Sequence, residues 1–283
     1  MHRSSWGASR AVLFVHALSL VGLSFAGCAE EPPPITGSTD EFDVRSEIVG
    51  DDFRVLLRLP PGYDAGAEDV LPAVFQLDAT RGQFDLVAGQ VSELEAAGVI
   101  EPTVVVGIGY PYDDPMLGGE RGRSRDYVAT GVDDFLAFVD EELLPELEGR
   151  ARLDPARRVL SGHSLGGFVA LRALLASSED PRPTFRGFIA NDPSLGEGDG
   201  SLYLLEEQTR ASANGSPRRV YLAIARYNGA VQELFFEELG ERLAARDGLT
   251  VATEVFDTDH GGVLAPAFRE GLEVTLGAAG TKR

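Results

Sequence analysis

From residue 41 onward, short apolar runs rich in β-branched residues alternate with longer stretches of helical period, and that alternation admits few architectures. A strand followed by a helix returns parallel to its predecessor, because only a long crossover brings the chain back to the same end of a sheet. Runs at residues 73–77, 103–108, 158–160, 185–190, 220–225 and 251–256 supply the central strands, and most are apolar throughout, as strands covered on both faces must be. Helices are predicted at 83–97, 131–144, 166–177, 202–210, 231–246 and 264–276. Ahead of them, residues 42–49 and 53–59 flank Gly50-Asp51-Asp52 and end at Pro60-Pro61-Gly62, the pattern of an antiparallel hairpin at a sheet edge. The prediction is one doubly wound α/β domain over residues 41–283, with a mostly parallel sheet of about eight strands and an N-terminal antiparallel hairpin.

The first 28 residues follow another logic. Arg3 and Arg10 are the only charges ahead of an apolar run over residues 11–26, which ends in Phe25-Ala26-Gly27-Cys28. That run is short for a membrane-spanning helix, which needs about 20 apolar residues. It resembles a bacterial lipoprotein signal, with residues 1–27 as signal peptide, Cys28 as the lipidated residue and residues 28–40 as a Pro-rich tether. Conventional cleavage beside Ala26, leaving Cys28 an incidental thiol, is the alternative. Either reading exports the protein, and the first anchors it at the cell envelope, in the periplasm or at the outer membrane.

Composition narrows the function. Asp and Glu number 45 against 25 Lys and Arg, a formal charge of −20 with no basic block, so no phosphate backbone of a nucleic acid is expected as partner. A single Cys excludes an internal disulfide and a multi-cysteine zinc site. Neither a metal nor an organic cofactor is expected, and oligomeric state is not legible.

Chemistry concentrates at Arg158-Val159-Leu160-Ser161-Gly162-His163-Ser164-Leu165-Gly166-Gly167, where a strand meets Gly-x-Ser-x-Gly and then a helix. A serine there sits on a tight strained turn, and the glycines let strand and helix close around it. The hydroxyl is lifted to the N-terminus of the helix, where the dipole and the Leu165 N–H favour a developing oxyanion. A phosphate-binding loop would need a lysine at this point, and the chain's one lysine is Lys282.

Serine is a weak nucleophile and needs a base, usually histidine. His2 and His16 leave with the signal segment, and His163, beside the serine, is expected to point away from the hydroxyl. His260 remains, in Phe256-Asp257-Thr258-Asp259-His260-Gly261-Gly262. It follows the last predicted strand and precedes the last helix, where an α/β-hydrolase presents its base.

Blocks at Leu71-Pro72-Ala73-Val74-Phe75-Gln76-Leu77-Asp78, Val104-Val105-Val106-Gly107-Ile108-Gly109-Tyr110, Arg123-Ser124-Arg125-Asp126-Tyr127, residues 143–167 and residues 259–272 resemble, in order, the putative-esterase family. That family includes esterase D, enterochelin-type siderophore esterases, feruloyl and acetylxylan esterases and mycolyltransferases. The resemblance implies an α/β-hydrolase fold and a second oxyanion donor after Leu77-Asp78-Ala79-Thr80, matched here by the Thr80 N–H. Ala79 stands where glycine is usual, so the local turn departs from the family pattern.

The third member of a triad is where the sequence also departs from that pattern. The family places an acid after the next-to-last strand, where this chain reads Ala225-Arg226-Tyr227-Asn228-Gly229. Asn228 as orienter, Asp192, Glu233, or no acid at all remain open, and the Ser–His dyad is the reading favoured here. The resemblance implies a serine esterase that cleaves a small-molecule or glycan ester through a Ser164 acyl-enzyme. A siderophore ester leads; a feruloyl or acetylxylan ester, acyl transfer, or a catalytically weakened surface-binding lipoprotein are the alternatives. Tyr112, Arg123, Arg125 and Tyr127 are expected on one wall of the site, with Arg123 and Asp126 as a candidate ion pair.

Overall fold

The computed structural model of the chain describes residues 31–66, 68–79, 81–111, 120–211 and 215–277. Its strands are β1 (Ser38–Arg45), β2 (Asp52–Leu59), β3 (Leu71–Gln76), β4 (Val104–Gly109), β5 (Leu153–His163), β6 (Gly187–Asn191), β7 (Arg218–Ala225) and β8 (Leu249–Phe256). They form one sheet in the order β1-β2-β4-β3-β5-β6-β7-β8. β2 pairs antiparallel with both β1 and β4, and every other pairing is parallel. The α/β sheet and its N-terminal antiparallel pair are those anticipated above.

Helices cover both faces. On one face, α1 (Arg81–Ala96) and α8 (Leu264–Leu276) bury Val87, Val91, Leu94, Phe268 and Leu272 against Val74, Val105, Val159 and Ile189. On the other lie α3 (Val132–Phe138), α4 (Leu144–Glu148), α5 (Leu165–Ala176), α6 (Ser201–Arg210) and α7 (Ala230–Ala244), whose Phe135, Leu147, Phe168, Leu202 and Phe236 pack on Phe75, Val106, Leu160, Phe188 and Leu222. Successive strand residues thus point to opposite cores, which is why the central strands read as unbroken apolar runs.

Differences from the sequence reading have local causes. The helix predicted at 131–144 is α3, then a turn of π-helix over Val139–Leu143, then α4. Pro145 brings no N–H to the ladder, so the α-helical bonding cannot run through it. The short helix α2 (Glu120–Asp126) has a sequence, ERGRSRD, with no apolar period to announce it. β5 begins five residues before the expected strand because its first stretch, from Asp154 to Arg157, faces outward and carries no hydrophobic signal.

The tether drawn over residues 28–40 is shorter in the structure. Ser38 already begins β1, and Ile35 packs against the α1 side of the core. The fully buried Arg58 donates to the Thr36 carbonyl and to both carboxylate oxygens of Glu95. A Cβ on Gly89 would lie 2.1 Å from the Pro33 carbonyl oxygen, so only glycine lets this segment lie on α1. Residues 1–27 and Cys28 lie outside the described residues. No described helix is long and apolar enough to cross a membrane.

Candidate active site

The parallel strands deliver the carboxyl ends of β3, β5, β6, β7 and β8 to one edge of the sheet, and the site is built there. Ser164, between β5 and α5, adopts φ 59°, ψ −118°. Its N–H donates to the Asn191 carbonyl at 3.0 Å, while its own carbonyl accepts from Phe168 at 3.1 Å and Ser194 at 3.0 Å. Those bonds hold a serine in a region that costs an L-residue on the order of 1–3 kcal/mol. A Cβ on Gly162 would fall 2.3 Å from the Gly166 backbone, so strand and helix can close around the serine only because that position is glycine. Asp78 (φ 53°) after β3 and Asp192 (φ 42°) after β6 also have positive φ, so three of the four such non-glycine positions among the described residues lie at these strand ends, the fourth being Asp199 ahead of α6.

The imidazole of His260 meets Asp192. Its Nδ1 lies 2.6 Å from Asp192 Oδ2, and the carboxylate is buried. Asn228 donates its side-chain N–H to both carboxylate oxygens at 3.0 Å, and the Ala225 N–H reaches Oδ1 at 3.3 Å. The Asp192 carboxylate thereby accepts from three donors, with its geometry aimed at the ring. The dyad favoured from sequence gives way to an acid–imidazole pair. Asn228, standing where the family keeps an acid, orients the carboxylate rather than the imidazole. Glu233, the other candidate, lies on α7 and pairs with Arg226 at 3.3 Å.

His163 has a part that sequence order concealed. Its ring is buried and lies 4.3 Å from that of His260, with Nε2 2.8 Å from the His260 carbonyl oxygen. Burial, with the neighbouring His260 ring, pushes His163 down to about 4, so it is neutral near pH 7. A carbonyl can only accept, which assigns the proton to Nε2 and makes His163 a donor that ties the His260 loop to the serine turn. His163, Asp192 and His260 bring ligating atoms within 4.8 Å of one another. The His163–carbonyl bond and the His260–Asp192 bond already engage all three of these residues, so the cluster is a network that orients an imidazole.

Among the described residues, Ser164 Oγ makes no hydrogen bond to the His260 ring; its neighbour is Ser194 Oγ at 3.4 Å. Serine–imidazole contacts in unliganded sites are often long and tighten with substrate. The N–H of Leu165 opens α5 ahead of the first intrahelical bond, which Phe168 donates, and is therefore one of the unpaired donors of a helix N-terminus. Thr80, the expected second donor, lies outside the described residues, as does Tyr112. The preceding Ala79 N–H is occupied by the Ile108 carbonyl at 3.0 Å.

Beside this turn, Arg123 Nε donates to Asp78 Oδ1 at 2.8 Å, and the Asp78 N–H donates to the buried Tyr127 hydroxyl at 3.3 Å. The Arg123–Asp126 pair considered from sequence is not the one formed. Arg125 pairs with Asp126, whose carboxylate also accepts from Tyr110, and Arg123 is turned to the strand end. Ser194 and this Asp78–Arg123 contact were missed by sequence reasoning, because neither stands in a spaced motif.

An eight-stranded α/β-hydrolase sheet with a serine on a strained strand-to-helix turn and an acid-bound imidazole at the same edge defines the class of serine-nucleophile hydrolases. Residues 46–180, from just before β2 through the serine turn and past the end of α5, match the family described as Putative esterase. Ferri-bacillibactin esterase BesA of Bacillus subtilis is 31% identical over 158 residues, 48% of this chain and 49% of BesA, so the match spans about half of that relative. The Siderophore enterobactin esterase of Emericella nidulans is 25% identical over 221 residues, 60% of this chain and 70% of that protein. The BES protein from Bacillus cereus shares the fold with a TM-score of 0.75 at 22% identity, over 88% of this chain and 100% of the other.

Proposed function

We propose that this protein hydrolyses a siderophore ester through a Ser164 acyl-enzyme. The carrying observation is the buried Asp192 carboxylate 2.6 Å from His260 Nδ1, because it leaves Nε2 as the nitrogen free to take the serine proton. Ser164 Oγ attacks the ester carbonyl carbon while His260 Nε2 accepts its proton. The tetrahedral oxyanion forms against the Leu165 N–H, with the Thr80 N–H as the proposed second donor. The imidazolium, stabilised by Asp192, then protonates the departing alkoxide, and water releases the acyl group by the same steps reversed. His163 keeps the base loop in register and never touches substrate.

The substrate class rests on the relatives and on the rim. Tyr227, Val231 and Leu234 are more than 60% exposed and Phe235 39%, on the turn and helix that follow β7. The Tyr227 N–H bonds the Thr258 carbonyl in the loop that carries His260, and an exposed aromatic ring there suits a catecholate or similar aryl acyl group better than a bare acetyl. Only α6 among the described residues intervenes between β6 and β7, in the connection where hydrolases of this class carry lids, so a bulky substrate has access.

Hydrolysis of iron-loaded and iron-free trilactone siderophores, set against feruloylated and acetylated xylan, tests the reading. Release of the siderophore monomer at the higher kcat/KM supports it, and preference for xylan esters overturns the substrate class. Failure of a fluorophosphonate to label Ser164 in the folded protein would remove the enzyme reading altogether. We further propose export and lipidation at Cys28, supported by the apolar run ending in Phe25-Ala26-Gly27-Cys28. Intact-mass measurement of the membrane fraction checks it, with a diacylglyceryl adduct on an N-terminal cysteine expected.

A further inference from the structure

The loop that carries Asp192 to the base also carries a second hydroxyl to the nucleophile. Ser194 stands two residues beyond Asp192, and its Oγ lies 3.4 Å from Ser164 Oγ. The backbone fixes it there. Pro193 is packed on the first turn of α5, where a Cβ on Gly167 would fall 3.0 Å from Pro193 Cα, and Leu195 is buried in the core. Between them the Ser194 N–H donates to the Ser164 carbonyl at 3.0 Å, and the Ser194 carbonyl accepts from the Glu197 N–H at 3.1 Å.

None of these contacts uses the hydroxyl. Among the described residues it has one hydrogen-bond partner, Ser164 Oγ, and both serines are partly exposed, so the pair is open to a reactant. A side-chain oxygen that contributes nothing to holding its own loop, and meets only the nucleophile, is placed for the reaction rather than for the fold.

Either oxygen of the pair can donate, and the two directions have different consequences. A Ser164 that donates to Ser194 turns its proton away from His260. A Ser194 that donates leaves the Ser164 proton for His260 Nε2 and aims an O–H at the oxygen on which charge develops. The separation decides when such a bond counts. At 3.4 Å it is longer than the ordinary O–H···O distance of about 2.7–2.8 Å, so a neutral Ser164 hydroxyl gains little from it. An O–H···O⁻ bond contracts to about 2.5–2.7 Å and is roughly twice as strong. A donor that tightens only as the oxygen loses its proton stabilises the transition state more than the ground state, which is the condition for acceleration.

We propose that Ser194 is a further catalytic group, whose O–H donates to Ser164 Oγ as that oxygen gives up its proton and again as it departs from the acyl-enzyme. The proposal rests on Ser164 being the nucleophile. In acylation the Ser164 O–H bond breaks, the proton passes to His260 Nε2 and the bond from Oγ to the acyl carbon forms. In deacylation that bond breaks and the proton returns from His260 to Oγ. Ser194 keeps its own proton throughout, so it assists both half-reactions, whereas a group that binds the leaving alcohol assists only the first.

Ser194→Ala and Ser194→Thr test this, with turnover of a p-nitrophenyl ester, its stopped-flow burst and the second-order rate of fluorophosphonate labelling measured for each. The alanine variant is expected to keep its Tm and to lose about tenfold in both kcat and kcat/KM with KM unchanged. Its acylation and deacylation rates are expected to fall together, and its labelling to slow by about the same tenfold. Threonine restores the hydroxyl and is expected to bring labelling back to within about threefold of wild type. Labelling isolates the nucleophile from substrate contacts, because the reagent carries none of a siderophore's groups. The proposal is overturned by a Ser194→Ala enzyme that labels as fast as wild type or faster, by a loss confined to KM or to one half-reaction, or by a threonine variant as slow as the alanine one. Those results leave Ser164 standing as nucleophile; a wild-type protein that fails to label removes that reading and this proposal with it.

Discussion

The two edges of the sheet are made by the same strands and solve the problem of buried charge in opposite ways. At the carboxyl edge, Asp192 is buried with donors from Asn228, Ala225 and His260, so a charge out of water is fully partnered and becomes a positioning device. At the amino edge, Arg158 and Arg218 are as deeply buried but keep donors without acceptors. The contrast teaches that burial alone does not mark a role. The satisfied network holds a side chain in one geometry, and the unsatisfied donors record a desolvation cost that the strand register imposes.

Mutations can break that contrast, beginning with the serine. Ser164→Ala is expected to lower kcat for a p-nitrophenyl ester by about 10⁴-fold or more, with Tm close to that of the parent, since the strained turn is unchanged. Asp192→Asn keeps the volume and removes the charge that supports the imidazolium, and a fall of about 10³- to 10⁴-fold in kcat is expected from steady-state kinetics. Asn228→Ala leaves Asp192 two of its three partners and is expected to cost only about tenfold.

His163→Phe preserves ring volume and removes the N–H on the His260 carbonyl, with an expected loss of about tenfold in kcat and little change in KM. The same variant sharpens the pH dependence of stability. Because the folded protein holds His163 near 4 while the unfolded chain takes its proton near 6.5, this residue's contribution is complete above about pH 6.5 and is lost as pH falls toward 4. Urea melts across that window are expected to fall less steeply with pH in His163→Phe than in wild type. The smallest effect lies at the other edge. Arg186→Glu replaces repulsion with attraction between Arg158 and Arg218 and is expected to raise stability by about 0.5–1 kcal/mol, or about 2–4 °C in Tm.

Much of this was legible in order along the chain. Each central strand and every helix from α5 onward lay within a few residues of its predicted place, because unbroken apolar runs and helical periods are local signals. The serine turn was legible for the same reason: a strained strand-to-helix turn needs Gly162, Ser164 and Gly166 at fixed spacing. The acid was not. Asp192, Asn228 and Glu233 were equivalent on paper, since no local signal distinguishes a residue bonded to His260 from one bonded to Arg226, and α2 had no apolar period to reveal it.

Sequence by itself determined the sheet, the strand-to-helix turn that carries Ser164 and, by elimination among four histidines, His260 as the candidate base, all of which follow from periodicity, spacing or count. Only the folded chain decided that Asp192 meets His260 across 68 residues, that His163 clamps the base loop from the neighbouring turn, and that arginines spread over residues 157–219 gather at one edge of the sheet in a protein without a basic block. The physical reason is common to all three. Strand order and register bring together side chains that are far apart along the chain, and charge partnering is settled by distances in space that no spacing along the chain records.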